Sequence, residues 1–319
     1  MPALVSLQQI KLLRLQDEID EQILEYVSQD QGEIASFNWG SACTRAISTL
    51  AASLLGSNRT SIRFIAPQVC PDAALNILHA PTSTLSAVGS RLTSLEINFH
   101  STTDLATSMR TLSRSFHTFF SFTSNLTALH LGFPACIPLN LRLEQIFHRI
   151  HWKRLRTLSI QGWRLHSHEI ISLVRQYSRN LQNLRLLNIY LKDGERWADV
   201  ITVLHDEMEQ LERIDLREID YENGPYFNTT TSIDPDPVLS TPPTTPRRQP
   251  NPAIIADDLF TFSQQPSPLR SLLPGFLEKL RSFSAGDIED DGVIVTLDQR
   301  IFWTLWILAG PRHIVRRRF

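Results

Sequence analysis

The sequence predicts an α/β leucine-rich-repeat solenoid with a helical N-terminal region and a disordered insertion. Three observations carry that expectation. The first is a spacing, Leu-x-x-Leu-x-Leu/Ile, that returns through the middle of the chain. It reads Leu92-Thr-Ser-Leu95-Glu-Ile97, Leu126-Thr-Ala-Leu129-His-Leu131, Leu155-Arg-Thr-Leu158-Ser-Ile160, Leu184-Arg-Leu-Leu187-Asn-Ile189 and Leu211-Glu-Arg-Ile214-Asp-Leu216. Successive frames start 34, 29, 29 and 27 residues apart. One such hexad fits any strand, but five at the length of a strand plus a returning helix mark a repeat unit. The second observation is a composition break, with eleven of the 18 prolines between Pro225 and Pro274. The third is an amphipathic stretch near the N-terminus.

Residues 8–27 place Ile10, Leu13, Ile19, Ile23, Leu24 and Val27 on one broad helical face, with Asp17, Glu18, Asp20 and Glu21 largely off it. A second helix is expected over 41–55, ending at Gly56. Ser61-Ile-Arg-Phe-Ile65 reads as a first strand, ended by Pro67 and Pro71. Between the hexads, helices are expected near 104–120, 140–150, 167–179 and 195–210, the third with Ser167 as N-cap and Glu169 in its first turn. Asp234-Pro-Asp-Pro and Ser240-Thr-Pro-Pro-Thr-Thr-Pro hold too little apolar surface to offset the entropy of ordering, so 225–268 reads as a flexible insertion. The frame returns weakly as Leu280-Arg-Ser-Phe283-Ser-Ala285, and the apolar stretch from Leu297 to Leu308 is expected to close the last unit. The expected domains are therefore 1–58, a helical region; 59–224, the repeats; 225–268, the insertion; and 269–319, the last repeat and its cap.

The bulk numbers exclude several classes. The chain has 319 residues, 42% of them apolar, and a formal net charge of −2 from 31 basic and 33 acidic side chains. That balance gives no reason to expect a nucleic-acid backbone or an anionic membrane as partner. The longest apolar run, Ile301 to Ala309, is far short of the roughly 20 residues a membrane-spanning helix needs. No basic segment followed by a long apolar one opens the sequence, so no signal peptide is expected. The scattered Cys43, Cys70 and Cys136 suggest a reducing compartment, cytoplasmic or nuclear.

Alternate residues of a strand face opposite ways. If the hexad leucines point inward, the residues between them line the other face. That row holds Ser94, Glu96, Asn98; Ala128, His130, Gly132; Thr157, Ser159, Gln161; Leu186, Asn188, Tyr190; and Arg213, Asp215, Arg217. Glu96, Asn98, His130, Ser159, Gln161, Asn188, Tyr190, Asp215 and Arg217 are the expected contacts for a protein partner. Tyr190 and Arg217 belong to the types enriched among binding hot spots.

Chemistry is not expected. His166-Ser-His168 could bind a metal, and His148 with His151 has helical spacing, but no Cys or carboxylate completes a ligand set at a recognisable interval. No cofactor is therefore expected. Phosphate-cradling glycine loops and a Gly-x-Ser-x-Gly elbow are absent from the sequence, and Asp287-Ile-Glu-Asp-Asp291 lacks the alternating ligands of a calcium loop. Thr241, Thr245 and Ser267, each followed by Pro, are phosphorylation candidates in what is otherwise a plain spacer.

The repeat block resembles that of fungal F-box and leucine-rich-repeat proteins, on the pattern Leu187-Asn-Ile-Tyr-Leu-Lys-Asp-Gly-Glu-Arg-Trp197. Leu15-Gln-Asp-Glu18-Ile19-Asp-Glu-Gln-Ile23-Leu24-Glu-Tyr26-Val27 is similar to the first F-box helix, with Gln16 where that family has Pro. The resemblance implies a non-enzymatic substrate receptor of a cullin–RING ubiquitin ligase. In it Leu15, Ile19, Ile23, Leu24 and Val27 would hold a Skp-family adaptor, and the strand row an unknown protein target. A repeat scaffold without a ubiquitin role fits the same residues, and a metal enzyme built on the histidines is the distant third class.

Overall fold

The computed structural model describes residues 9–11, 61–69, 74, 81–99, 101, 104–222 and 274–310. The expected adaptor contacts Leu15 to Val27, the helix over 41–55 and the insertion 225–268 with Thr241, Thr245 and Ser267 lie outside them. The strands are β1 (Gln9–Lys11), β2 (Ile62–Val69), β3 (Leu92–Phe99), β4 (Ala128–Gly132), β5 (Thr157–Leu165), β6 (Asn183–Leu191), β7 (Arg213–Arg217) and β8 (Asp220–Tyr221). They join in one sheet whose order β1 to β7 follows the chain, and β8 pairs with β6. Every described pairing is parallel.

Helices alternate with these strands: α1 (Thr82–Gly89), α2 (Ala106–Phe122), α3 (Leu143–Phe147), α4 (Ser167–Gln176) and α5 (Trp197–Glu207), then α6 (Pro274–Ser282) and α7 (Leu297–Leu308). The longer ones bury a stripe at helical spacing. In α2 it is Ala106, Met109, Leu112, Phe116 and Phe120; in α5 it is Trp197, Val200, Ile201 and Leu204. Successive helices α1 to α5 pack side by side, and α7 joins the row against α5. One apolar core lies between this helical layer and the sheet.

Two stacked columns of strand residues anchor that core. Leu95, Leu129, Leu158, Leu184 and Ile214 are register partners, as are Ile97, Leu131, Ile160, Leu186 and Leu216. The aromatic side chains fill the space beyond them. Trp163 is fully buried, edge-on to Phe133 at 4.7 Å between ring centroids. Trp152 donates its Nε1–H to Thr123 Oγ1 at 2.8 Å.

The expectation of a leucine-rich-repeat solenoid with a helical N-terminal region is corrected by this arrangement. The chain is an α/β protein with one mostly parallel sheet alternating with helices. The hexad reports only a parallel strand with one face in a core, and the period of about thirty residues reports only a strand plus its return helix. Both are met by a two-layer parallel sheet. The open, solvated row that a solenoid face implies is also missing, because Ser94, Glu96, His130, Thr157, Ser159, Asn183 and Arg185 are buried. At the N-terminus, Gln9–Lys11 is a strand beside β2, not the start of a helix. The first strand also does not stop at Pro67. It runs to Val69 with a register shift between Ala66 and Val69, where Pro67 has no N–H for the ladder.

The fourth repeat frame is corrected as well. Leu184 and Leu186 pair with Leu158 and Ile160, so the hexad is Leu181-Gln-Asn-Leu184-Arg-Leu186, three residues earlier than expected. Both frames satisfy the spacing because a kink follows the strand core. Gly162, Asn188 and Glu218 all have positive φ, at 69°, 50° and 51°. They occupy equivalent positions in successive strands, each interrupting the ladder before pairing resumes at Trp163↔Ile189 and Tyr190↔Asp220. The extra residue flips the facing, so Trp163, Ile189 and Ile219 return to the core. At Gly162 a Cβ would meet the Phe133 carbonyl oxygen at 2.2 Å, so only glycine fits there.

The C-terminal segment docks through polar contacts. Asp290 accepts the Ala198 N–H at the start of α5 at 2.8 Å and the Tyr221 hydroxyl, so the acidic run is a tether. Asp220 Oδ1 accepts the Val295 N–H, and Trp306 stacks on His205 at 3.9 Å. Leu280 and Ser282 close helix α6, so the weak sixth frame is not a strand. No helix among the described residues is long and apolar enough to cross a membrane.

Candidate functional site

The register sets three polar rungs across the sheet face opposite the helices. The first is Ser94, Ala128, Thr157, Asn183 and Arg213; the second is Glu96, His130, Ser159, Arg185 and Asp215; the third is Asn98, Gly132, Gln161, Leu187 and Arg217. Seven of the nine expected partner contacts, Glu96, Asn98, His130, Ser159, Gln161, Asp215 and Arg217, are brought together here. Asn188 is instead the kink residue. Tyr190 lies beyond the kink, beside Arg164 and Asp220. Its phenol is pushed up to about 12 by burial and by the Glu218 and Asp220 carboxylates. Leu186, placed on this face by the wrong frame, is in the core.

Side chains across parallel strands are close enough to bond one another, and these do. His130 Nε2 faces Asn98 Oδ1 at 2.8 Å, and its Nδ1 faces the Ser159 hydroxyl at 2.7 Å. A neutral ring satisfies both, donating from Nε2 and accepting at Nδ1. Gly132 keeps the first bond open, since a Cβ there would sit 2.0 Å from Asn98 Oδ1. Asn183 donates to Thr157 Oγ1 at 3.0 Å. Arg185 Nε donates to Asp215 Oδ2 at 3.4 Å, and Arg217 closes on the same carboxylate at 2.6 Å.

Ser159, His130 and Asn98 have the order of a nucleophile, a base and an orienting group. Burial rules that use out: Ser159 is 0% exposed. Burial, helped by the Arg185 charge, also pushes His130 down to about 3, far too weak a base near neutral pH. The trio therefore acts as a cross-strand clamp. Because the folded value lies below the ordinary 6.5, the unfolded chain takes up the proton first. The stabilisation is complete above about pH 6.5 and falls as pH drops toward 3. Urea unfolding between about pH 4.5 and 6.5 is expected to show stability falling by up to about 1.4 kcal/mol per pH unit on this residue's account. His130→Gln is expected to flatten that slope.

Histidines that are close in sequence separate in space. Helix α3 ends at Phe147, and His148 has φ 50°, so His148 and His151 share no helical face. His148 turns to Ser113, and His151 stacks on Tyr177. His166 and His168 instead stay together at the start of α4, where the β6–α5 loop brings in Glu195. His166 caps this helix, and Ser167 is its first residue.

The surface feature that sequence reading missed lies at the N-terminal ends of the strands. Thr127, Arg156 and Gln182 immediately precede β4, β5 and β6 and are linked by backbone bonds, Arg156 N–H to Thr127 O and Gln182 N–H to Arg156 O, both 2.8 Å. Lys153 and Arg154 come from the loop before β5, Arg179 and Asn180 from the turn after α4, and Gln210 from the loop before β7. Together these eight residues line an open groove of about 680 Å³. Four of them are cationic and none is acidic. Among the described residues, none of the four cations is paired with a carboxylate; Arg154 holds the Asn125 side-chain oxygen at 3.1 Å. The available signal was the run Lys153-Arg-Leu-Arg156, set directly before a hexad. No family model matches the chain, and a comparison with curated proteins finds no match.

Proposed function

We propose that this chain is a non-enzymatic protein-interaction module, cytoplasmic or nuclear, that holds an acidic segment of a protein partner. The observation that carries the reading is the groove lined by Lys153, Arg154, Arg156 and Arg179 without a facing carboxylate. Much of the sheet face bonds to itself, whereas this groove leaves four positive charges to a ligand. Such a positive patch steers and orients an anionic partner. A peptide suits it better than a nucleic acid, because no aromatic side chain lines it for bases to stack on.

Fluorescence anisotropy with a labelled Glu/Asp-rich peptide tests this. Wild-type protein is expected to bind saturably, with affinity falling as salt rises. The double change Arg156→Glu and Arg179→Glu is expected to weaken binding by at least about tenfold, or about 1.4 kcal/mol, with an unchanged circular dichroism spectrum. Equal binding by both proteins overturns the reading, and tighter binding of a single-stranded oligonucleotide replaces it with a nucleic-acid role.

The similarity of Leu15 to Val27 to the first F-box helix favours one extension. In that form Leu15, Ile19, Ile23, Leu24 and Val27 hold a Skp-family adaptor, and the groove holds the target of a ubiquitin ligase. Direct titration of the full chain with the adaptor separates the two forms. Saturable binding supports the receptor, and none leaves a scaffold.

A further inference from the structure

We infer that His166, His168 and Glu195 form a binding site for a late first-row divalent cation, with zinc the best match. The site is independent of the basic groove. One ligating atom from each residue lies within 4.8 Å of the others. His166 Nδ1 and Glu195 Oε1 are already 2.9 Å apart, and the two imidazoles stack at 5.2 Å between centroids. Zinc takes imidazole nitrogen and carboxylate oxygen at about 2.0–2.1 Å in a tetrahedron, which sets ligand atoms about 3.3 Å apart. The separations therefore have to close by at most about 1.5 Å. His168 is exposed on the first turn of α4 and can rotate to close it.

The carboxylate is built for this role. Glu195 Oε2 accepts both the Ser167 N–H and its hydroxyl, which orients the group and leaves Oε1 toward His166. Outer-shell bonds of this kind fix metal ligands in place. Burial opposes its ionisation, but the bonds from Ser167 and His166 outweigh that and hold it below the ordinary carboxyl range. The charge that opposes a cation is the positive end of α4. It is met by Glu195 and by Glu169, whose carboxylate accepts the His166 and Leu143 N–H groups. The ion slots between Nδ1 and Oε1, replacing their direct contact, and any proton on Nδ1 leaves to solvent. Three protein ligands leave a fourth position to water. The ion joins the β5–α4 junction to the loop after β6, so it staples two neighbouring units.

Isothermal titration of chelator-stripped full-length protein with zinc chloride tests the site, with cobalt substitution as a spectroscopic check. One equivalent is expected to bind, with a tetrahedral cobalt absorption band and a raised melting temperature. His168→Ala, a surface change that the fold tolerates, is expected to weaken binding more than tenfold. Glu195→Gln is expected to do the same, and His151→Ala to leave it unchanged. Absence of saturable binding below about 100 µM, or binding that survives His168→Ala, overturns the inference.

Discussion

Trp163→Ala is expected to destabilise the protein by about 3–5 kcal/mol, the range for truncating a fully buried aromatic. Trp163 sits just past the Gly162 kink, where the sheet turns its facing back to the core. Its ring meets Phe133 at 4.7 Å and Phe147 at 6.1 Å, and its Nε1–H reaches the Leu141 carbonyl at 3.1 Å. That bond fastens the loop after β4, where Leu139 also bridges to Trp163. Truncation therefore opens a cavity and strands a buried carbonyl at once. Trp163→Phe keeps one six-membered ring in place but loses the bond and the volume of the pyrrole ring, so its cost is expected to be smaller, about 2 kcal/mol. Denaturant unfolding of both variants reads the difference. A loss under about 1 kcal/mol for the alanine change would mean that the kink does not seat this ring in the core.

Asp215→Ala is expected to cost about 3–5 kcal/mol, because it removes the carboxylate beside a buried guanidinium. The Arg185 side chain is only 2% exposed and shares Asp215 with Arg217. The effect should belong to the charge left behind and not to lost packing. Adding Arg185→Met to the alanine variant is therefore expected to recover a large part of the loss, a coupling that independent sites do not show. Additive costs in the double variant, measured by urea unfolding, would show that the two side chains act separately.

Local periodicity made the strands and most helices legible. The hexads located β3, β4, β5 and β7; α4 and α5 lie within the spans expected between them, and α2 runs two residues past its own. What periodicity could not decide was register. Leu181, Leu184 and Leu187 are spaced three apart, so two frames fit equally, and the residue that breaks the tie is Asn188 at φ 50°. Asn tolerates that backbone, but nothing beside it in sequence announces a kink. Nor could alternation alone reveal that the polar row bonds to itself. His130 reaches Asn98 and Ser159, 32 and 29 residues away, only once the strands are in register. The same holds for Glu195, which lies one strand–helix unit beyond His166. The basic groove needed three separate loops to meet at one edge. The N-terminal strand Gln9–Lys11 pairs with a partner more than fifty residues away, a contact that helical spacing in its own segment concealed.

Amide hydrogen exchange of the full chain, with and without a saturating Glu/Asp-rich peptide, tests most directly where a partner binds. New protection is expected at residues 125–127, 153–156, 178–182 and 208–211, the backbone around Lys153, Arg154, Arg156 and Arg179. The strand segments 94–98, 157–161 and 188–190 are expected to exchange as they do in the free protein. Protection confined to those strand segments, with none around the four basic residues, would contradict the groove and return binding to the sheet face.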